Sequence, residues 1–170
     1  MRAGCAPAMV EVKGVAVENP ERLNVIIGQT HFIKTAEDLH EAIANSVPQA
    51  RFGVAFCEAS GPCLVRVEGN DSSLKELAAR NALAIGAGHT FVVFLKDAYP
   101  LNVLRAIRDT PEVVTIFCAS ANPLEILVAE NARGRGVVGV IDGEKAKGIE
   151  SDADRKARLA FLRSIGYKLG

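Results

Sequence analysis

The stretch Ala87-Gly88-His89-Thr90-Phe91-Val92-Val93-Phe94-Leu95 decides the fold. Thr90 to Leu95 runs almost without polar interruption and is rich in β-branched and aromatic side chains. That pattern belongs to a strand covered on both faces, so it predicts a central strand of a sheet. Upstream, Leu74, Leu77, Ala78 and Ala82 recur at helical spacing, Ser72 or Ser73 offers a cap, and Gly86 and Gly88 end the helix. Downstream, Pro100 opens a short helix striped by Leu101, Leu104 and Ile107, and Pro111 separates it from a buried strand over Val113 to Cys118.

Further out, Val10, Val12, Val15 and Val17 outline an interrupted first strand, and Asn24 to Gly28 a second. Thr35 is the expected cap of a helix with Glu37 and Asp38 in its first turn and Ala36, Leu39, Ile43 and Val47 on one face. Phe52 to Ala59 and Cys63 to Glu68 form a hairpin around Ser60-Gly61-Pro62. Leu124 to Glu130 and Val137 to Ile141 form another, and Ser151 with Asp154 starts a last helix carrying Leu159, Leu162 and Ile165. Hairpins mixed with helical crossovers predict an α/β sandwich with a mixed sheet in a single domain, residues 9–170, preceded by an N-terminal extension over residues 1–8.

Composition narrows the function. Lys plus Arg and Asp plus Glu each number 20, and aromatics are 5% with no Trp. No net field draws nucleic acid or an anionic membrane, and stacking platforms for single strands are few, so neither partner is expected. Cys5, Cys57, Cys63 and Cys118 lack metal-ligand spacing, which predicts reduced thiols, no metal site and a cytoplasmic protein. Residues 1–8 lack the apolar stretch of an export signal.

Gly134-Arg135-Gly136-Val137-Val138-Gly139 satisfies GxGxxG as a string, but it reads as strand where a dinucleotide fingerprint must open a helix. No GxxxxGK[ST] loop occurs, so any phosphate must be held by helix N-termini, turn amides or arginines. Arg133 and Arg135 sit on a loop that either folds over an anionic ligand or a neighbouring subunit, or is simply a solvated turn.

His89, next to Gly88 at a strand end, is placed either as nucleophile or general base, or as a buried histidine satisfied by one carbonyl. His31 follows a strand in the same way and could frame one anionic pocket with His89, with a structural role as its alternative. Glu58 is the charge within Phe52 to Ala59, suited to acid/base work or ribose contact if it is not on an open strand face. Asn70-Asp71 and Asn122-Pro123 enter the site provisionally, since each also suits a cap or a turn. His40, inside the first helix, reads as a surface residue.

Several longer blocks are similar to the adenosine-specific kinase family: Gln29-Thr30-His31-Phe32-Ile33-Lys34-Thr35, Phe56-Cys57-Glu58-Ala59-Ser60-Gly61, Ala87-Gly88-His89-Thr90-Phe91, Ala121-Asn122-Pro123, residues 134–143, and the ending Gly166-Tyr167-Lys168-Leu169-Gly170. This resemblance implies a three-layer α/β/α fold, a symmetric homo-oligomer (trimer or hexamer), and a cavity for adenosine or AMP. It also implies a stable phosphohistidine, carried onto His89 first and His31 second, with Glu58 as the third catalytic candidate. Gln29, Thr30, Ser60, Gly88, Lys96, Asn122 and Arg135 become the ligand-binding candidates. Arg135 or Lys96 would neutralise phosphate, and Glu58 and Asn122 would orient the nucleoside. The phosphoryl donor stays open, with Mg²⁺ as its candidate companion. A non-catalytic adenosine or AMP sensor is the alternative function, and a structural oligomer without a small ligand is a third.

Overall fold

The computed structural model describes residues 9–169; the extension expected over residues 1–8, with Cys5, lies outside them. Their elements are β1 (Glu11–Ala16), β2 (Asn24–Thr30), α1 (Thr35–Ser46), β3 (Arg51–Cys57), β4 (Val65–Gly69), α2 (Ser72–Ile85), β5 (Thr90–Lys96), α3 (Pro100–Asp109), β6 (Val113–Ser120), β7 (Leu124–Asn131), β8 (Gly134–Asp142) and α4 (Asp152–Ser164). Five strands form one sheet in the order β4-β3-β5-β2-β6, and three form a second in the order β1-β7-β8. Every pair is antiparallel. The α/β class is as expected, but the mixed sheet is not. Each crossover returns its strand beside a neighbour running the other way.

The β5 run is central, and its alternation explains why it is apolar throughout. Phe91, Val93 and Leu95 face one side with Ile26, Phe52 and Val54, where they pack on Leu39 and Ile43 of α1 and Val103 and Ile107 of α3. Val92 and Phe94 face the other with Val25, Ile27 and Ala55, against Leu74, Leu77, Ala78, Ala82 and Ile85 of α2 and Leu124, Ile126 and Val128 of β7. Three layers result, the third shared by α2 and the small sheet. Each fully buried Phe, Leu or Ile contributes about 1.5–3 kcal/mol of transfer free energy, so both faces are energetically committed.

Several local details differ from expectation. Thr35 is the first residue of α1 rather than its cap, which is Lys34. The cap of α2 is Asp71, whose carboxylate accepts from Leu74 N at 3.0 Å, with Ser73 Oγ donating to the same carboxylate at 2.6 Å. A serine was expected there, but a carboxylate accepts two bonds at once while the helix dipole favours its charge. Gly86 ends α2 in the left-handed conformation, φ 61°. On α3, Val103 and Ile107 are buried and Leu101 is exposed, so the stripe is rotated from its expected position. His40 packs edge-on against Phe52, ring centroids 5.1 Å apart, with a buried Nδ1 lacking a hydrogen-bond partner, so it is not a plain surface residue. The α4 capping box of Ser151 and Asp154 forms, yet none of the helix's residues is buried.

Candidate functional site

Antiparallel pairing brings the ends of β2, β3 and the start of β5 to one edge of the sheet. Register pairs Gln29 with Thr90 and Phe56 with Phe91, so the residues following β2 and β3 flank the residue preceding β5. That residue is His89. Its N–H donates to Cys57 O at 2.7 Å and its carbonyl accepts from Thr30 N at 2.9 Å, which ties it to both neighbours. These bonds hold His89 at φ 63°, a left-handed conformation that a side chain disfavours. Its ring stacks on Phe56, centroids 6.0 Å apart and planes inclined by 15°.

His31 and His89, distant in sequence, share a notch of about 170 Å³ with Phe32, Phe56, Glu58 and Ser60. His31 Nδ1 donates to the Glu112 carbonyl oxygen at 2.9 Å. A carbonyl oxygen only accepts, so this nitrogen carries a ring proton, and among the described residues Nε2 has no hydrogen-bond partner. Glu58 accepts from Arg66 at 3.1 and 3.2 Å and from Leu64 N at 3.2 Å. Its charge is therefore compensated on the notch wall.

A larger cavity of about 710 Å³ adjoins the notch. Glu58 and Ala59 line both, and Leu83, Gly88, Arg133 and Arg135 are among the residues that line the larger one, so its wall carries both apolar and basic side chains. Gly88 is required by close approach, since a Cβ there would lie 2.9 Å from the Ala59 Cβ. Arg135 is committed to the fold. Its Nε donates to Glu130 at 3.1 Å, and Nη1 donates to the last carbonyls of α2, Ala84 at 3.0 Å and Ile85 at 3.3 Å. Arg133 has its backbone N–H bonded to Asn131 Oδ1 at 2.8 Å, which shapes the turn.

The other candidates lie elsewhere. Lys96 ends β5, about 20 Å along the strand from Thr90, and bonds Glu21 at 3.2 Å. Asn122 lies beyond Ser120, which pairs with Val25 at that same far end, and donates to Asp142 at 2.9 Å. Neither reaches the notch, because antiparallel register carries both to the opposite sheet edge. Thr30 is buried, its hydroxyl donating to Glu112 O at 3.0 Å, which is a structural role. Gln29 is exposed at the end of β2 and lines neither cavity. Sequence reasoning missed Lys34 and Glu112, which form a pair behind His31. The signal was a charged residue, Glu112, directly before an apolar strand.

Mg²⁺ with a phosphoryl donor takes one or two carboxylates, and Glu58 on the notch is already held by Arg66. Among the described residues no group of three His, Cys, Asp or Glu side chains could hold a metal ion.

The arrangement is that of a small single-domain α/β protein with a two-part cleft at its strand ends, apolar on one side and lined by paired imidazoles on the other. The chain belongs to the adenosine specific kinase family, whose profile matches residues 15–168, and this membership supports an adenosine-related, kinase-like function. A crystal structure of the PH1918 protein from Pyrococcus horikoshii OT3 is similar to it with a TM-score of 0.91 and 47% identity, over 95% of this chain and 100% of that one. Comparison with the curated proteins finds no match. No described helix is long and apolar enough to cross a membrane.

Proposed function

We propose that the cleft binds adenosine or AMP and passes a phosphoryl group through a histidine of the notch. The observation that carries this reading is the joining of two spaces by Glu58 and Ala59: a 710 Å³ cavity of nucleoside size and a 170 Å³ notch walled by two imidazoles. With the base and ribose in the larger space, a 5′ substituent meets the notch. A neutral ring nitrogen there forms a P–N bond as the donor's P–O bond breaks, and a ligand hydroxyl later reverses the exchange. Glu58 and Ser60 border the path of the ribose. Gly88 leaves room for the ligand to approach the backbone. The bare surface of α4 and the residues after it, with Phe161 on the helix and Ile165 and Leu169 beyond its end exposed, supports a homo-oligomer.

The test is incubation with a labelled phosphoanhydride donor, comparing the chain with His31→Ala and His89→Ala. Acid-labile label should appear on the unaltered chain and be lost from one variant. Equal label in all three removes both rings from the role. A binding-only sensor is favoured by a separate observation, the absence of Lys96 from the notch. Calorimetric AMP binding with no transfer from any donor would establish that alternative.

A further inference from the structure

His31 is backed by a device that the proposed reaction does not by itself require. Its Nδ1 meets the Glu112 carbonyl oxygen at 2.9 Å, and the Thr30 hydroxyl reaches the same oxygen at 3.0 Å, so both lone pairs of that carbonyl are used. The Glu112 carboxylate is 2% exposed, although it sits in the short connection before β6. A carboxylate so placed needs a cation. Lys34 Nζ supplies one, at 3.0 and 2.9 Å from the two oxygens. Lys34 also pairs with Asp38 and stands at the start of α1, three residues past His31. The Glu112 backbone is thus held from two sides, by its own buried side chain and by Thr30. His89 differs: among the described residues no partner engages its ring nitrogens, and stacking on Phe56 leaves its tautomer free.

We propose that Glu112 is the positioning residue of the site and Lys34 its lock. The main-chain carbonyl keeps the proton on His31 Nδ1, which makes Nε2 the unprotonated nitrogen available at the notch and assigns it as the phosphoryl acceptor. The last part rests on the phosphotransfer reading; the fixed tautomer does not. In the transfer, the Nε2 lone pair forms the P–N bond while the P–O bond of a phosphoanhydride donor breaks and its electron pair leaves with the donor. The Nδ1 proton stays on the ring, and its hydrogen bond to Glu112 O shares the positive charge that results. On return, an adenosine hydroxyl oxygen attacks phosphorus, the P–N pair goes back to Nε2, and the hydroxyl proton passes to solvent.

Histidine ¹⁵N shifts, measured on the full chain at a pH where the rings are neutral, read the tautomer directly. The expected result is a protonated Nδ1 and a pyridine-like Nε2 on His31. Lys34→Met and Glu112→Gln should turn this into a mixture, and Lys34→Arg should keep it. Label mapped by mass spectrometry should sit on His31 and fall by about ten- to hundredfold in Lys34→Met, by analogy with metal-ligating histidines that lose the group orienting them, with the His89 resonances unmoved. If Glu112→Gln does not fold, the unaltered chain and the two Lys34 variants still decide. An Nε2–H tautomer in the unaltered chain, or an unchanged tautomer in Lys34→Met, overturns the positioning role. Label on His89 overturns the acceptor assignment. The expected tautomers with no label on any histidine sink the phosphotransfer reading and the acceptor with it, while supporting the positioning role.

Discussion

The main-chain N–H of His89 donates to the carbonyl of Cys57 over 2.7 Å, and the histidine is held with φ at 63°. A left-handed non-glycine residue costs roughly 1–2 kcal/mol, and two backbone bonds to neighbouring strands sustain it here. His89→Gly is therefore expected to be more stable than His89→Ala by about 1 kcal/mol, although both lose the ring. Urea denaturation of the two variants checks this. The reverse order would mean that the backbone is not left-handed in solution.

Gly88 faces Ala59 closely enough that an added methyl group forces one of them to move. Ala59 lines both spaces of the cleft, so Gly88→Ala should cost about 1–3 kcal/mol, the range of overpacking, and weaken the AMP binding proposed for the cleft. Adding Ala59→Gly should restore most of the loss. Titration calorimetry on the single and double variants measures both effects, and independent losses would contradict the contact.

Asp71 connects the acid limb of stability to the start of α2. Ser73 Oγ, then Leu74 N–H and the Arg51 guanidinium, hold its carboxyl at about 2, below the ordinary 3.8. Because the folded value is the lower one, the stabilisation is complete above about pH 4 and is lost as pH falls through 2. Asp71→Asn should flatten that part of the stability profile. Asp71→Ala should cost about 1 kcal/mol at neutral pH, the usual worth of a cap. Denaturant titrations between pH 2 and 7 give both quantities.

Burial pushes the Cys57 thiol up to about 11, and the Cys118 thiol also to about 11, there with help from Asp142. Cys63 is exposed at the rim of the larger cavity. Iodoacetamide at pH 8 should modify Cys63 on the native chain and spare Cys57 and Cys118 until denaturant is added, since the thiolate is the reactive form. Peptide mass spectrometry resolves the sites. Prompt native labelling of Cys57 would show that the floor of the cleft opens.

Arg135 ties β8 to the end of α2 through the carbonyls of Ala84 and Ile85. Arg135→Ala should destabilise the chain by about 1.5–3 kcal/mol, the range for hydrogen bonds that involve a charged group. If the residue served ligand alone, thermal unfolding without nucleotide would be unchanged.

Local pattern was enough to read much of this chain. An unbroken apolar run placed β5 in the centre, helical spacing identified the buried faces of α1 and α2, and Gly86 marked where α2 stops, because these features follow from side-chain period and backbone freedom alone. The same reading put His31, Glu58, Ser60 and His89 forward as candidates, and each borders the notch. It failed for Lys96 and Asn122. Being near a strand end says nothing about which edge of the sheet that end occupies, and antiparallel register sent both to the far side.

Residue order thus determined the elements, the buried faces of α1, α2 and β5, and the chemistry available at the strand ends. Only the three-dimensional pairing decided that the residue after β2 and the residue before β5 meet, that Arg135 serves α2, and that the Glu112 carbonyl reaches His31. Periodicity is a property of neighbouring residues, whereas a shared cleft depends on strand direction and register, which are settled by long-range hydrogen bonds and by burial of both sheet faces at once.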